Sequence, residues 1–494
     1  MIRRTPTIPP RLLMLVSFGG ISLLNYAFGL TIGWLLQPSA FGLAAFAQTV
    51  LLMVGLILNS GIAWSLTVAI VNLTGQRRAD LVRGAMVANL ALATALSALI
   101  IGLYSLGPLH PGLESRTMVA LIALSSPFFA IIAVTRAAVQ GAERFGAVAA
   151  IQTTEVACKV AAGLALVKAG FGASGAVAGF LVGAVLSAAV GVILVRHSLR
   201  IRLRGGIAWP AAPLMAAMFG ALLGLALLLN LDLLALKSFS GSARALTGYY
   251  QAAIVLANAP YYLVAYAVVP VLFTQLAAMR TIGATRAKVL ETLEVVAIFV
   301  LPIEGILVLA PRAMLTLFFP VAYAAGAPAL RLLAIGNSAL IVIVVVMAAF
   351  QAVGRATIPA RIMMGITAAE LAVLCVTVPR FHIVGAAATF VAATVIALIA
   401  LAFSYLVLLD HSEVWAARDF VMWGLRYAGA VVTSIGTGAI AYALSGTLVI
   451  ALVGGMVWYG AATLAVGFVR LPNLQVARRL LKMIKIGQLA RREE

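Results

Sequence analysis

Apolar runs of about 20 residues recur along almost the whole chain, and that length is what a hydrocarbon core about 30 Å thick requires of a helix crossing it. A bilayer offers no water to backbone N–H and C=O groups, so spanning segments are either helices or closed barrels. Barrel strands would be short and would alternate apolar with polar residues; these runs are long and continuous. The composition agrees, with 64% hydrophobic residues, 10% charged residues and a mean hydropathy of +1.13, against about 25% charged residues in a soluble domain. The fold class predicted is all-α, a polytopic membrane protein.

The runs lie near residues 12–36, 41–73, 81–107, 117–139, 146–168, 172–195, 210–231, 246–276, 289–310, 326–350, 356–378, 383–409, 420–444 and 447–469, which predicts about fourteen helices. The first, Leu12 to Leu36, is too long for a signal-peptide core and reads as a retained helix. A basic connector, Arg196 to Arg204, separates the first six helices from the rest. The organisation expected is an N-lobe over residues 1–200 with helices one to six, a C-lobe over residues 201–409 with helices seven to twelve, and an addition over residues 410–494. That addition follows the polar stretch Asp410 to Asp419 and holds two helices and a tail. On a helix, the tail places Arg478, Arg479, Lys482 and Lys485 opposite Val476, Leu480, Leu481, Met483 and Ile484, the pattern of a helix lying in the interface.

The formal net charge is +20, but it is not a nucleic-acid signature. The basic residues sit in short connectors and concentrate in every second one, counting the N-terminus as the first. That asymmetry predicts a multi-pass protein of the cytoplasmic (inner) membrane with both termini in the cytoplasm, an even helix count, and anionic lipid as the partner of the basic connectors. It places Glu114 and Lys237 outside. Cys158 and Cys375 both fall inside apolar runs and read as buried small hydrophobes, not as a disulfide or metal pair.

One hairpin, Ile132 to Val167, carries ionisable groups inside its apolar runs: Arg136, Glu155 and Lys159. A charge at mid-bilayer costs about 2.5–3.5 kcal/mol, so such groups face a partner or a wet cavity. Glu155 and Lys159 are spaced four apart with the glutamate first, which suits either a neutralising intrahelical pair or a cavity-facing lysine tuned by its glutamate. Lys159 is too deep to reach an interface, whereas Arg136, within a turn of its helix end, can snorkel to the headgroups. These three are the candidate substrate-binding residues. Glu304, just after Pro302, and Glu370 are the other mid-helix acids and are candidates for ion coupling or for polar clasps between helices.

No catalytic constellation is legible. His110, His197, His382 and His411 are scattered without ligand spacing, no Ser/His/Asp set or phosphate-binding glycine loop occurs, and the connectors are too short for a soluble catalytic domain. The expectation is a protein that is not an enzyme, with no cofactor and no metal. Glycines at spacing four, Gly175, Gly179 and Gly183, continued by Ser187 and Gly191, predict close helix packing and no chemistry.

The two halves echo each other. Gln140-Gly141-Ala142-Glu143-Arg144 closes a hairpin leading to Glu155 and Cys158, and Gln351-Ala352-Val353-Gly354-Arg355 closes one leading to Glu370 and Cys375. The offset to the glutamate differs by four residues, one helical turn, so the two can share a face. Leu36 to Gly42, Gln140-Gly141 with Arg144-Phe145, Gly248-Tyr249-Tyr250 with Ala252, Phe318-Phe319-Pro320 with Tyr323 to Leu333, and Gln351 with Gly354-Arg355 together resemble the polysaccharide-transporter branch of the multidrug/oligosaccharidyl-lipid/polysaccharide exporter superfamily. The resemblance implies two six-helix lobes around a central cavity and flipping of a polyprenyl-pyrophosphate-linked oligosaccharide across the membrane. It also implies that lipid-linked oligosaccharide as the partner, with polysaccharide polymerase and glycosyltransferases as candidate neighbours. Three other functions compete. A cation-coupled multidrug antiporter of the same superfamily would be expected to carry an acid in the first helix, where Asn25 is the only strongly polar side chain. A lipid II flippase would be expected to place basic residues of the first helices in the cavity, and the arginines here lie at the helix end. A non-transporting scaffold for polysaccharide assembly would leave the mid-helix charges with packing alone to do.

Overall fold

The structure is a computed structural model that describes residues 10–71, 73, 75–107, 113, 115–199, 206–208, 215–239, 245–277, 282–409 and 429. The described residues are almost entirely helical and contain no strand. In chain order the helices are α1 (Pro10–Leu35), α2 (Pro38–Ser60), α3 (Ile62–Ile70), α4 (Gly75–Ser105), α5 (Arg116–Gly141), α6 (Phe145–Leu166), α7 (Gly172–Leu199), α8 (Met215–Leu228) and α9 (Leu231–Phe239). They continue as α10 (Ala245–Leu263), α11 (Val269–Ala277), α12 (Ile282–Leu309), α13 (Pro311–Phe318), α14 (Ala327–Ala352) and α15 (Thr357–Leu409). The helices follow the apolar runs up to residue 409 closely, with three refinements. The run 41–73 breaks at Gly61 into α2 and α3; the run 210–231 ends early and is followed by the short α9; and α10 passes through a π turn, Val264–Val268, into α11. The expected thirteenth and fourteenth helices, the amphipathic tail, Glu114 and the basic residues from Arg200 to Arg204 lie outside the described residues.

By length and composition, six continuous helical stretches among the described residues suit a bilayer, or seven if the bent pair α8 and α9 is one span. Two of the six, Phe145–His197 and Thr357–Tyr405, hold 53 and 49 residues, about twice a bilayer crossing at 1.5 Å per residue. Each folds back on itself. In the first the break follows Val167–Phe171, where Gly170 has φ 94° and Gly172 has φ 54°, ψ −137°. In the second it is His382, at φ 49°, ψ −126°, and across it the hydroxyls of Thr377 and Thr389 meet at 2.9 Å.

Packing falls into two groups, α1 to α7 and α8 to α15, joined chiefly along α2 and α10. In the first group the small-residue ladder of α7 works as expected. A methyl at Gly183 would strike the carbonyl of Glu155, one at Gly179 the backbone of Gly163, and Ser187 Oγ donates to the Ile151 carbonyl at 2.8 Å. Close approach of this kind replaces the hydrophobic drive that lipid removes. Asn89 of α4 donates to the carbonyls of Leu58 and Ala130, both at 3.2 Å, tying α2, α4 and α5 together.

The halves repeat each other at their hairpins. Ala142 and Val353 share φ −90°, ψ 9°, the N–H of Arg144 and Arg355 reach back to Val139 and Phe350 at 2.9 and 2.8 Å, and Glu143 (φ 58°) stands where the second half has Gly354 (φ 76°). The fold-back points Gly172 and His382 repeat as well. Between the halves, at the end of α1, Phe41, Phe319, Tyr323 and Tyr249 form one ring cluster with centroids 5.4–6.3 Å apart. There Tyr323 donates to the Leu36 carbonyl at 2.9 Å, Trp34 donates to the Phe318 carbonyl at 2.8 Å, and Gly42 abuts Gly248. The motifs from Leu36 to Gly42, at Gly248-Tyr249 and from Phe318 to Tyr323 therefore meet in one seam.

Two expectations change. Cys375 is exposed on its helix, and both cysteines are free; a thiol is apolar enough to face lipid. Lys237 is not in a connector but buried within α9, 4% exposed and engaged by neighbours, because the chain bends by 42° after α8 and continues as a helix packed against α15.

Candidate functional site

A cavity of about 400 Å³ lies between the halves, walled by α1, α2, α6 and α7 on one side and by α10 on the other. Its chemistry is sharply limited. Among the described residues Lys159 is the only charged one in the lining; Asn25, Gln48, Gln152, Gln251 and Asn258 contribute carboxamides; and Tyr26, Phe28, Phe41, Phe180 and Tyr262 contribute rings. The lining includes no carboxylate. Asn258 is itself braced from behind, accepting from Asn337 Nδ2 at 2.9 Å.

Of the two arrangements open to Lys159 from its spacing, the structure shows it deep on α6 and lining the cavity, with only 8% of its surface exposed. Two local features set it there. The glycine ladder presses α7 onto α6 at the level of residues 155–163, and Gly163 has no side chain to fend off the Phe28 ring of α1. The ammonium hydrogen-bonds to Asn25 Oδ1 and lies over the rings of Phe28 and Phe180, 5.4 and 4.7 Å from their centroids. Both ring distances are within cation–π reach.

Glu155 and Arg136 sit elsewhere. Glu155 is half-buried, outside the cavity lining, and makes no ion pair with Lys159 within 4 Å, although it is within electrostatic reach of both Lys159 and Arg136. Arg136 does not snorkel: its guanidinium donates to Asn59 Oδ1 of α2. The structure thus brings one of the three residues into the cavity lining and leaves the other two outside it.

In the second half, Glu370 on α15 is 2% exposed and neither carboxylate oxygen has a hydrogen-bond partner. Beside it lies Asp232 of α9, 1% exposed, which accepts from the Tyr250 hydroxyl of α10 and from the N–H of Leu233 at 2.7 Å. Sequence reasoning missed Asp232, because it falls just past the end of an apolar run with Lys237 five residues on. The signal available was its place at the start of a nine-residue apolar segment. Glu304 on α12 is likewise buried and unpartnered, in a different part of the second half. The repeat also resolves the offset of one turn noted between Glu155 and Glu370. Lys159 follows Gln140, and Glu370 follows Gln351, by the same 19 residues, so the residue matching Glu370 is Lys159.

Comparison with known proteins agrees with this architecture. The lipid II flippase MurJ in an inward closed conformation superposes with a TM-score of 0.66, at 13% identity over 91% of this chain and 98% of that one. A multidrug resistance MATE family transporter of the MOP superfamily superposes in its inward-facing conformation with a TM-score of 0.57, at 14% identity over 77% of this chain and 92% of that one. Its outward-facing conformation gives 0.54, at 14% identity over 83% and 94%. At these identities the likeness is one of fold. A comparison of the sequence with curated proteins finds no match. The profile of the family described as "Polysaccharide biosynthesis protein" matches residues 33–327, more than half of the chain. The chain therefore belongs to the polysaccharide biosynthesis protein family and has the fold of the multidrug/oligosaccharidyl-lipid/polysaccharide exporters, a multi-pass membrane transporter fold.

Proposed function

We propose that the protein is a flippase that moves polyprenyl-pyrophosphate-linked oligosaccharide across the cytoplasmic membrane by alternating access between two lobes, residues 1–200 and 201–409, with both termini in the cytoplasm. The observation that carries this reading is the cavity: one lysine, five carboxamides and no carboxylate. Lys159 meets the anionic linkage. The carboxamides of Gln48, Gln152, Gln251 and Asn258, each with a donor and an acceptor on one planar group, match the paired hydroxyls of a sugar. A cavity for cationic drugs would need the opposite charge, which argues against the multidrug reading. Lipid II is itself a polyprenyl-pyrophosphate glycan and suits the same chemistry, so the family match is what favours an oligosaccharide for polysaccharide assembly. Mass spectrometry of lipids that co-purify with the protein tests the proposal. A polyprenyl-pyrophosphate oligosaccharide supports it and names the glycan; lipid II in its place, or only bulk phospholipid, would overturn it.

The second half supplies a driving force in this reading. Glu370, with Asp232 beside it, binds the coupling proton or cation, and Glu304 is the second candidate. The unpartnered oxygens of both glutamates motivate the assignment. Transport and its gradient dependence unchanged in a Glu304→Gln, Glu370→Gln double variant would remove it.

A further inference from the structure

Lys159 is held at the cavity wall by neutral groups only. Its ammonium hydrogen-bonds to the Asn25 carboxamide oxygen and lies over the rings of Phe28 and Phe180, and no carboxylate lies within 4 Å of it among the described residues. An ammonium only donates, so the Asn25 amide is oriented with its oxygen on the lysine. Glu155 is within electrostatic reach of Arg136 as well as of Lys159 and forms an ion pair with neither within 4 Å among the described residues. The trio carries one net positive charge, and Lys159 is the member that faces the cavity. An aspartate at position 25 would reach the same ammonium and cancel it.

We infer that Asn25 is a positioning residue: its carboxamide, with the Phe28 and Phe180 rings, fixes the Lys159 ammonium against the cavity wall while leaving its charge intact, and this makes the cavity selective for an anionic linkage over a neutral one. The inference rests on the reading of Lys159 as the anion contact. It adds that the neutrality of its anchor, and not only its own presence, sets the selectivity. Asn25 therefore acts through Lys159 and not as an independent sugar contact.

The test uses the full-length protein in detergent and two short-chain probes, farnesyl-pyrophosphoryl-N-acetylglucosamine and the uncharged farnesyl glycoside of the same sugar, with binding read by calorimetry. The wild type is expected to favour the charged probe by about tenfold or more, the size of one charge-assisted contact. Asn25→Asp and Lys159→Ala are each expected to bring that ratio close to one while binding of the uncharged probe persists. The Asn25→Asp, Lys159→Ala double variant is expected to be no worse than Lys159→Ala alone. Asn25→Ala, which loosens the anchor without adding a charge, is expected to lower the ratio in part, by clearly less than Asn25→Asp does, and an unchanged ratio would overturn the positioning role. If Lys159→Ala retains the full ratio, the proposed role of Lys159 fails. If Lys159→Ala loses the ratio but Asn25→Asp keeps it, or if Asn25→Ala costs as much as Asn25→Asp, the inference about Asn25 is overturned and the role of Lys159 stands. Should Asn25→Asp fail to fold, Phe180→Leu takes its place: a lower ratio with uncharged-probe binding intact supports the anchor, and an unchanged ratio overturns it.

Discussion

Lys159 and Glu370 stand at matching positions of the two halves, 19 residues after the glutamine of each hairpin, and they have been given opposite chemistry. The lysine looks into a cavity and rests on an amide and two rings. The glutamate is closed off from it, with Asp232 and the Tyr250 hydroxyl nearby. One scaffold position, read twice, yields an open cationic site and a closed acidic one. The difference shows how a repeat can separate two tasks. Each half keeps the same hairpin and fold-back, and the proposed division of labour between a large anionic ligand and a small coupling ion rests on the polar residue at the centre.

The strongest way to break the comparison is to remove the lysine. Lys159→Ala is expected to lower flipping between about tenfold and a hundredfold, the loss of a charge-assisted contact of about 1.5–3 kcal/mol, while the protein still inserts and folds. Lys159→Arg is expected to retain part of the activity because the charge survives. Reconstituted vesicles with a fluorescent lipid-linked glycan provide the readout. Normal transport by Lys159→Ala together with misfolding of Glu155→Ala would make the pair a structural clasp and move the substrate site elsewhere.

The acidic site offers the next test. Glu370→Gln and Asp232→Asn are each expected to flatten the dependence of transport on an imposed proton or sodium gradient by about five- to a hundredfold, the usual span of coupling between sites. Basal, gradient-free flipping is expected to change less. If Lys159→Ala abolished the gradient response and Glu370→Gln left it intact, the division of labour between the halves would be reversed.

A smaller effect separates the sites by their access to water. Tyr250→Phe removes one of the donors to Asp232 in a place sealed from the cavity, which is expected to cost about 1–3 kcal/mol, because a buried acceptor loses its partner. Asn25→Ala removes a partner at a cavity wall where water can substitute, so its effect on thermal unfolding is expected to be well below that. Equal losses would mean that the two sites are equally closed.

Much of this architecture is written in the chain. Apolar runs place the helices to within a few residues because the bilayer demands both their length and their composition, and the hairpins at Gln140 and Gln351 expose the repeat. Lys159 is legible because a charge in a long apolar run needs a reason. The rest depends on three-dimensional convergence. Gln48, Gln152 and Gln251 are single polar residues on three separate helices, and nothing in their spacing says that they share a cavity. Asp232 lies in the first turn of a short helix that follows α8 with a bend of 42°. The match between Glu370 and a residue of the first half reads as Glu155 when carboxylates are paired by type, and as Lys159 once the hairpins fix the register.

The least costly place to sharpen the comparison is the hairpin itself. Glu143 and Gly354 occupy the same left-handed position, with φ of 58° and 76°, and only one of them is the residue that tolerates it without strain. Adding a Cβ at Gly354 meets nothing within 4 Å, so Gly354→Ala is expected to cost the left-handed strain of about 1–2 kcal/mol less the about 0.4–1 kcal/mol by which alanine restricts the unfolded chain. Glu143→Gly relieves a similar strain, but glycine frees the unfolded chain by about 0.4–1 kcal/mol. The two effects oppose each other, and the net change is expected to be a gain similar in size to the cost at Gly354. Thermal unfolding of both variants in one detergent measures the contrast. A loss at Glu143→Gly as large as that at Gly354→Ala would show that the Glu143 side chain holds its turn by contacts of its own, and that the two hairpins, alike in backbone, are not equivalent in energy.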